Sequence, residues 1–403
     1  MTDTATPHVA ILGAGPIGLD AALACADAGL PYTVHEAGPT VGTHVRDWGH
    51  VRLFTPWELN LSPRMHARLG DLRPQDGTCP TGTELADLLD SLTRLTPLAG
   101  RIELSTRVLA VARDGLLKHE HIGAPERAAA PFRLLLDGPE GERAAYADIV
   151  LDCTGTYAHP NSLGDGGIPA PGERSLHHRI IRTVPDTTEP DRWRGTVLLV
   201  GAGKSAQTAA RDLARLPDTH VEWVVRTDDP DWGEVPADTL PGRQELVDVA
   251  RALAQDGSDR VTVHTGTRVT ALTEDGPNGP RVRATLDTST GLRELVCDHV
   301  VALTGYSGDA TLHRQLQIHE CYATAAPMNL SATLLGAAGG DCLAQPSAGL
   351  DTLRNPEPDY YILGAKSYGR LNTFLLRTGY EQVGEVLAPH APAPSHALRP
   401  QGT

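Results

Sequence analysis

No stretch of roughly eighteen apolar residues, the length that would mark a membrane-spanning helix, occurs anywhere in this 403-residue chain. The first residues, MTDTATPH, lack the apolar core of a secretory signal, so a cytoplasmic protein is expected. Paired cysteines are also missing. The six cysteines, at 25, 79, 153, 297, 321 and 342, contain no Cys-x-x-Cys, which excludes the compact zinc and dithiol motifs and leaves each as a small apolar side chain. Positive charge is short: 35 Lys and Arg stand against 50 Asp and Glu, a formal net charge of -15. A nucleic-acid backbone or an anionic membrane is thereby excluded as the main partner, because like charges repel over the whole surface. No third ligand joins His119, Glu120 and His121, so no metal is expected. Charged residues at 21% and hydrophobic ones at 40% make an ordinary globular composition, long enough for two or three domains.

The chain is organised around residues 8–36, HVAILGAGPIGLDAALACADAGLPYTVHE, which read as strand, glycine turn, helix and second strand. Gly13 allows the tight turn, Gly15 lets backbone approach a pyrophosphate, and Gly18 lets helix and strand pack closely. A pyrophosphate is favoured there by the free N–H groups and dipole of the helix start. Glu36, ending the second strand, is placed to accept from a ribose 2′-hydroxyl.

Residues 37–63 carry little periodicity but gather Trp48, His50, Arg52, Phe54, Trp57 and Asn60, an aromatic wall for a cofactor or substrate or a loop packed on the core. A helix follows from Thr83, with leucines at helical spacing and Thr81 or Thr83 as cap. RIEL, RVLAVAR, FRLLLD and ADIVLDCTG then read as short strands, with an exposed loop over 115–131. Residues 156–195 read as a linker between domains.

A second unit begins with TVLLVGAGKSAQTAARDL and ends in HVEWVVR. Gly201, Gly203 and Ala206 occupy the glycine-turn positions, with Lys204 and Ser205 on the turn itself as cofactor-binding candidates; Lys204 adds positive charge near phosphates or is an exposed helix-start lysine. This strand closes on Arg226 where the first closes on Glu36. A 2′-phosphate about 4 Å from a carboxylate is opposed by ~4 kcal/mol at an effective dielectric near 20, whereas a guanidinium attracts it and binds it bidentately. The first site therefore suits a free ribose and the second a phosphorylated one. VTVHTGTRVTALTED, RVRATLD and DHVVALTGY then repeat the order of the strands after the first unit, each copy closing on a Thr-Gly pair at Gly155 and Gly305. Residues 307–358 are expected as loops covering a site. Tyr360–Leu363 reads as a buried strand, Gly364 as a turn, and Asn372 onward as a helix starting toward the site.

These motifs together resemble the two-dinucleotide-binding-domain flavoproteins, specifically the flavin-containing and N-hydroxylating monooxygenases, with thioredoxin-reductase-like enzymes as cousins. GAGPIGL with Glu36 resembles that group's FAD fingerprint and GAGKSA with Arg226 its NADPH fingerprint; CTGTYAHP and DHVVALTGY are similar to its Thr-Gly strand ends. The resemblance implies an α/β fold of two Rossmann-like dinucleotide-binding domains, for FAD and NADPH, each with a small antiparallel sheet insertion. The expected boundaries are 1–170 for the first part of the FAD domain, 190–297 for the NADPH domain, 298–387 for the rest of the FAD domain, and 388–403 for a flexible tail. It implies a monooxygenase that takes electrons from NADPH and inserts one oxygen atom into a small amine, sulfur or carbonyl substrate through a flavin C4a-hydroperoxide, with molecular oxygen as co-substrate and a homodimer allowed. The alternative is an NADPH-dependent flavoprotein reductase without oxygen insertion. Lys366, Ser367, Tyr368, Arg370 and Asn372 are expected at the flavin edge, with His50, Arg52, Trp57 and Asn60 opposite; Lys366, Asn60, His50 and Arg370 are the candidates for chemistry. Three departures stand out. The linker's Gly172–His177 spacing is one residue too long, Thr55 is followed by Pro56 where an asparagine is usual, and the reductases' Gly-Asp is replaced by Gly364-Ala365-Lys366.

Overall fold

The computed structural model describes residues 6–94, 98–235, 238–256, 258–276, 281–336 and 349–390. Two five-stranded parallel sheets carry it. In the first, the strands lie in the order Tyr360–Ile362, Ile149–Asp152, Val9–Leu12, Tyr32–His35 and Ile102–Glu103. The second has Ile180–Ile181, His299–Ala302, Gly195–Val200, Thr219–Val224 and Val261–His264; four strands repeat the order, but its edge strand Ile180–Ile181 precedes the others in the chain where Tyr360–Ile362 follows them. Val9–Leu12 and Ile149–Asp152 are buried at every position, as strands covered on both faces must be.

The small sheets repeat as well. Arg107–Arg113, Phe132–Gly138 and Gly141–Ala147 form one antiparallel meander, and Arg268–Glu274, Val282–Thr288 and Gly291–Cys297 form the other. Each has its register shift at the same place, between Val108 and Ala110 in one and between Val269 and Ala271 in the other. The last strand of each meander had no strand signal in the sequence because its first four residues are exposed, so no apolar alternation marks it.

Three expectations need correction. His299–Ala302 pairs with Gly195–Val200 in the second sheet, so the return to the first domain comes after this strand and not at 298. The expected linker donates Ile180–Ile181 to that same sheet. Residues 115–131 are more than a surface loop: Pro125–Ala129 is a short helix whose Arg127 is buried against Glu357, a carboxylate that also holds Arg113 at 2.7 Å. Of the expected tail 388–403, Ala388–His390 is a 3-10 turn continuing the last helix, and the rest lies outside the described residues. The helix expected from Thr83 is Gly82–Thr93, begun by a capping box between Thr81 and Glu84.

The chain crosses between the sheets twice, directly after the two Thr-Gly pairs, and the crossings are tied together. Pro160 and Tyr306 form an antiparallel bridge, the Asn161 N–H donates to the Gly305 carbonyl at 2.9 Å, and the Thr304 hydroxyl donates to the Asn161 carbonyl at 2.7 Å. Buried Glu173 accepts from the Leu163 and Ala170 N–H groups and from Arg182, closing the crossing into a rigid knot. Among the described residues, no helix is long and apolar enough to cross a membrane.

Asp20, on the first helix, is buried against Arg64 at 2.8 Å, and burial pushes its carboxyl up to about 6 despite that partner. The folded chain holds this proton after the unfolded chain has lost it, so stability is lost as pH rises through about 4 to 6. Asp20→Asn removes the titration. Its stability relative to the parent should rise by about 2–3 kcal/mol between pH 4 and pH 7 in urea titrations; parallel pH curves for the two proteins would contradict the assignment.

Candidate nucleotide-binding cleft

Both glycine turns lie where a strand's carboxyl end meets a helix start, the place at which open α/β sheets bind ligands. In the first, Gly13 adopts φ 94°, and a Cβ there would lie 2.9 Å from the Cys153 carbonyl oxygen. A Cβ at Gly18 would lie 1.9 Å from the Gly13 carbonyl oxygen, so the turn closes only with glycine at both positions. Gly15 caps the helix Pro16–Asp27 without a side-chain hydrogen bond, and nothing stands within 4 Å of the place its Cβ would take. A ligand can therefore approach the backbone at Gly15, beside a helix start that favours an anion.

Glu36 has one carboxylate oxygen on the Ala14 N–H at 2.6 Å and the other on the Gly38 N–H at 2.7 Å. These bonds fix it beside the turn and leave lone pairs on both oxygens for a ribose hydroxyl. The residues fit a nucleotide with an unmodified ribose.

The second turn shares the frame. Gly201 has φ 131° and would clash with the Leu303 carbonyl at 2.3 Å if it carried a Cβ, while Gly203 caps the helix Lys204–Leu213 over open space. Ala206 is fully buried and takes the place of the third glycine; Ser205 is exposed at the helix start. Pairing of Leu12 with His35 and of Val200 with Val224 makes Val225 the counterpart of Glu36, so Arg226 stands one residue further along. Val225 is buried and Arg226 exposed, which suits a group projecting outward from the ribose. Lys204 does not face this space: its ammonium bonds the Trp232 carbonyl at 2.9 Å.

The predicted flavin edge is only partly assembled. Lys366 is buried, with Nζ 2.6 Å from Asp152 Oδ2, and its partner also accepts from the Tyr360 hydroxyl at 2.9 Å and the Thr154 hydroxyl at 2.6 Å. Burial raises the Asp152 carboxyl, but Lys366 and Thr154 outweigh it and hold the group below the ordinary carboxylate range. Lys366 is therefore the buried counter-ion of Asp152 beneath the strand ends. Ser367 donates to the Gly364 carbonyl at 2.7 Å, and Tyr368 is buried against Phe374. Arg370 and Asn372 are exposed. The last helix starts at Leu376 and not at Asn372, after a single turn over Ala365–Tyr368.

On the opposite wall Asn60 is buried, and its amide is consumed locally. Its nitrogen donates to the Thr55 and Pro56 carbonyls at 2.7 and 2.9 Å, and its oxygen accepts from the Thr55 hydroxyl at 3.0 Å. That satisfies a one-turn helix after Pro56 and leaves no donor for chemistry. Its carbonyl accepts the Tyr380 hydroxyl at 2.7 Å, so the 57–60 turn and the last helix do meet, with Trp57 in the same core. His50 is exposed and bonds the Val184 carbonyl at 3.0 Å; Arg52 reaches the Cys79 carbonyl. Neither is drawn toward Lys366 by any bond. Gly155 and Gly305 have φ of 68° and 83°, a conformation that turns the chain out of each strand end. Sequence reasoning missed Asp152; the signal was an acid closing an otherwise apolar strand, where the second copy has Ala302. Among the described residues no three His, Cys, Asp or Glu side chains converge on a metal site.

Comparison with solved structures settles the architecture. Bacillithiol disulfide reductase from Bacillus cereus superposes with a TM-score of 0.71 at 19% identity, over 96% of this chain and 99% of that one. The chain has the two-dinucleotide-binding-domain flavoprotein fold. The ornithine N-hydroxylase of Kutzneria sp. 744, solved with reduced FAD, NADP+ and L-ornithine, matches with a TM-score of 0.63 at 17% identity, over 96% and 99%. A curated flavin-containing monooxygenase of Arabidopsis thaliana, GS-OX-like 2, is 24% identical over 247 residues, 54% of this chain and 50% of that protein. The chain thus spans about half the length of that curated relative. No protein-family profile matches it.

Lys366→Met strands the Asp152 carboxylate in the interior and should cost about 3–5 kcal/mol of stability, read by chemical denaturation. A loss below about 1 kcal/mol, the range of an exposed pair, would show that the ion pair does not hold the strand ends.

Proposed function

We propose that this protein is an FAD-dependent, NADPH-consuming monooxygenase acting on a small amine, sulfur or carbonyl compound. The observation that carries the reading is the opposite charge beside two like turns: Glu36 fixed at the first and exposed Arg226 beyond the second. A carboxylate accepts from a neutral ribose and repels a phosphorylated one, whereas a guanidinium does the reverse. FAD accordingly belongs in the first cleft and NADPH in the second.

When bound, the flavin supplies the redox chemistry between NADPH and oxygen. The chain's residues bind and orient: two uncapped helix starts hold the pyrophosphates, Glu36 and Arg226 read the riboses, and the bonded crossings fix one cleft against the other. Buried Trp57, Tyr368 and Tyr380 keep water from the space beneath the last helix.

Oxygen transfer is favoured over thiol exchange by the cysteines. Cys25, Cys153, Cys297 and Cys321 are buried and Cys79 is partly so, while Cys342 lies outside the described residues. Burial holds the thiol of Cys153, the one beside the glycine turn, well above its ordinary range. A disulfide reductase needs an accessible thiolate near its flavin; hydrogen bonds from Thr324 lower the Cys321 thiol, but that residue is only 5% exposed. A reductase of a thiol-free acceptor is the remaining alternative.

Two measurements test this. Arg226→Glu should weaken NADPH by more than about a hundredfold while changing NADH by less than about threefold; equal losses would show that the arginine does not read the phosphate. Incubation with NADPH, oxygen-18 gas and a panel of diamines, thioethers and ketones should place one labelled atom in a product. NADPH oxidation that proceeds equally without oxygen, with no label transferred, would remove the monooxygenase reading and leave the reductase.

A further inference from the structure

Lys204 lies on the glycine turn of the second cleft, where a lysine is expected to meet phosphate. Its ammonium carries three donors, and three acceptors take them: the carbonyls of Trp232 at 2.9 Å and Gly233 at 3.2 Å, and Gln207 Oε1 at 3.3 Å. No donor is left for a ligand. Gln207, itself buried, braces the same contact, since its amide nitrogen donates to the Trp232 carbonyl and to the Ala202 carbonyl of the turn, both at 2.9 Å.

What these bonds hold is the loop that follows Arg226. At its start, the Val225 N–H donates to the His264 carbonyl at 2.9 Å and the Thr227 carbonyl accepts from Gly266 at 3.1 Å. At its far end Trp232 is buried against Trp223, ring centres 5.1 Å apart, with φ at 58°. A bulky residue adopts that conformation only when its surroundings impose it. Between the anchors lie Asp228, Asp229 and Asp231, all exposed. The loop thus carries one cation and three carboxylates next to the position assigned to a doubly charged phosphate.

We infer that Lys204 is a positioning residue for nucleotide specificity: it latches the 228–233 loop to the glycine turn, so that Arg226, and not the loop's carboxylates, meets the 2′-phosphate. The inference rests on the NADPH reading of this cleft. A latch of this kind matters little to NADH, whose free ribose is uncharged, and strongly to NADPH. A lysine that gripped the pyrophosphate would matter equally to both.

The test is titration of the purified holoenzyme with NADP+ and with NAD+, followed by tryptophan fluorescence, in the parent, Lys204→Met, Lys204→Arg and Arg226→Glu. Lys204→Met should weaken NADP+ about tenfold and NAD+ less than about twofold, and Lys204→Arg should retain most of the parent's preference. Equal weakening of both nucleotides, or none of either, overturns the latch. If Lys204→Met does not fold, Lys204→Gln, which keeps two donors without the charge, must still lower the NADP+ to NAD+ preference, and an unchanged preference overturns the latch. Lost NADP+ preference in Arg226→Glu with an unchanged preference in Lys204→Met sinks the latch alone; no change in Arg226→Glu sinks the cofactor reading and the latch with it.

Discussion

The candidate site depends on two helix starts whose first N–H groups no side chain caps. Each helix begins on a glycine with no capping side chain, soon after a buried parallel strand, and nothing stands within 4 Å of where either glycine's Cβ would lie. A phosphate suits those groups, because the helix start favours an anion and bare glycine backbone lets it come close. Such a frame is indifferent to what hangs on the phosphates. Discrimination has to come from the end of the adjacent strand, where one copy presents a carboxylate and the other, a residue later, a guanidinium.

The duplicated architecture puts that difference to use. Four parallel strands in one order, a three-stranded meander with a register shift at one place, and a Thr-Gly exit recur in both halves. The copies diverge where chemistry would require it. Asp152 closes a strand in the first sheet and anchors Lys366 under the cleft, while its counterpart Ala302 anchors nothing. The crossings are bonded to each other through Asn161, Thr304 and Gly305, which fixes how one cleft faces the other.

Much of this was legible in the sequence because it rests on local rules. Gly13, Gly18 and Gly201 are needed where no Cβ fits, and glycine spacing after an apolar run reports that directly. Thr81 with Glu84 announces a helix start. Side-chain roles set by distant partners were not legible. Lys366 read as a free cation near a flavin, and its partner Asp152 lies more than two hundred residues away in sequence. Asn60 read as a polar group facing a ligand, but the carbonyls freed by Pro56 absorb its amide. Lys204 read as a phosphate contact or an exposed helix-start lysine, yet two carbonyls of the next loop and Gln207 take its ammonium. In each case long-range packing decides which hydrogen-bonding groups remain free, and periodicity carries no information about that. The strands Gly141–Ala147 and Gly291–Cys297 escaped for a related reason: their exposed starts remove the alternation that marks a strand.

The central claim, that two clefts of opposite charge pass electrons from a phosphorylated nucleotide to a flavin, is tested most directly by anaerobic reduction of the purified, FAD-loaded protein. Flavin should be retained at one per chain, and its yellow absorbance should bleach with NADPH at concentrations at which NADH acts far more slowly. A protein that takes up no flavin, or whose flavin is reduced equally well by the two nucleotides, would contradict the account.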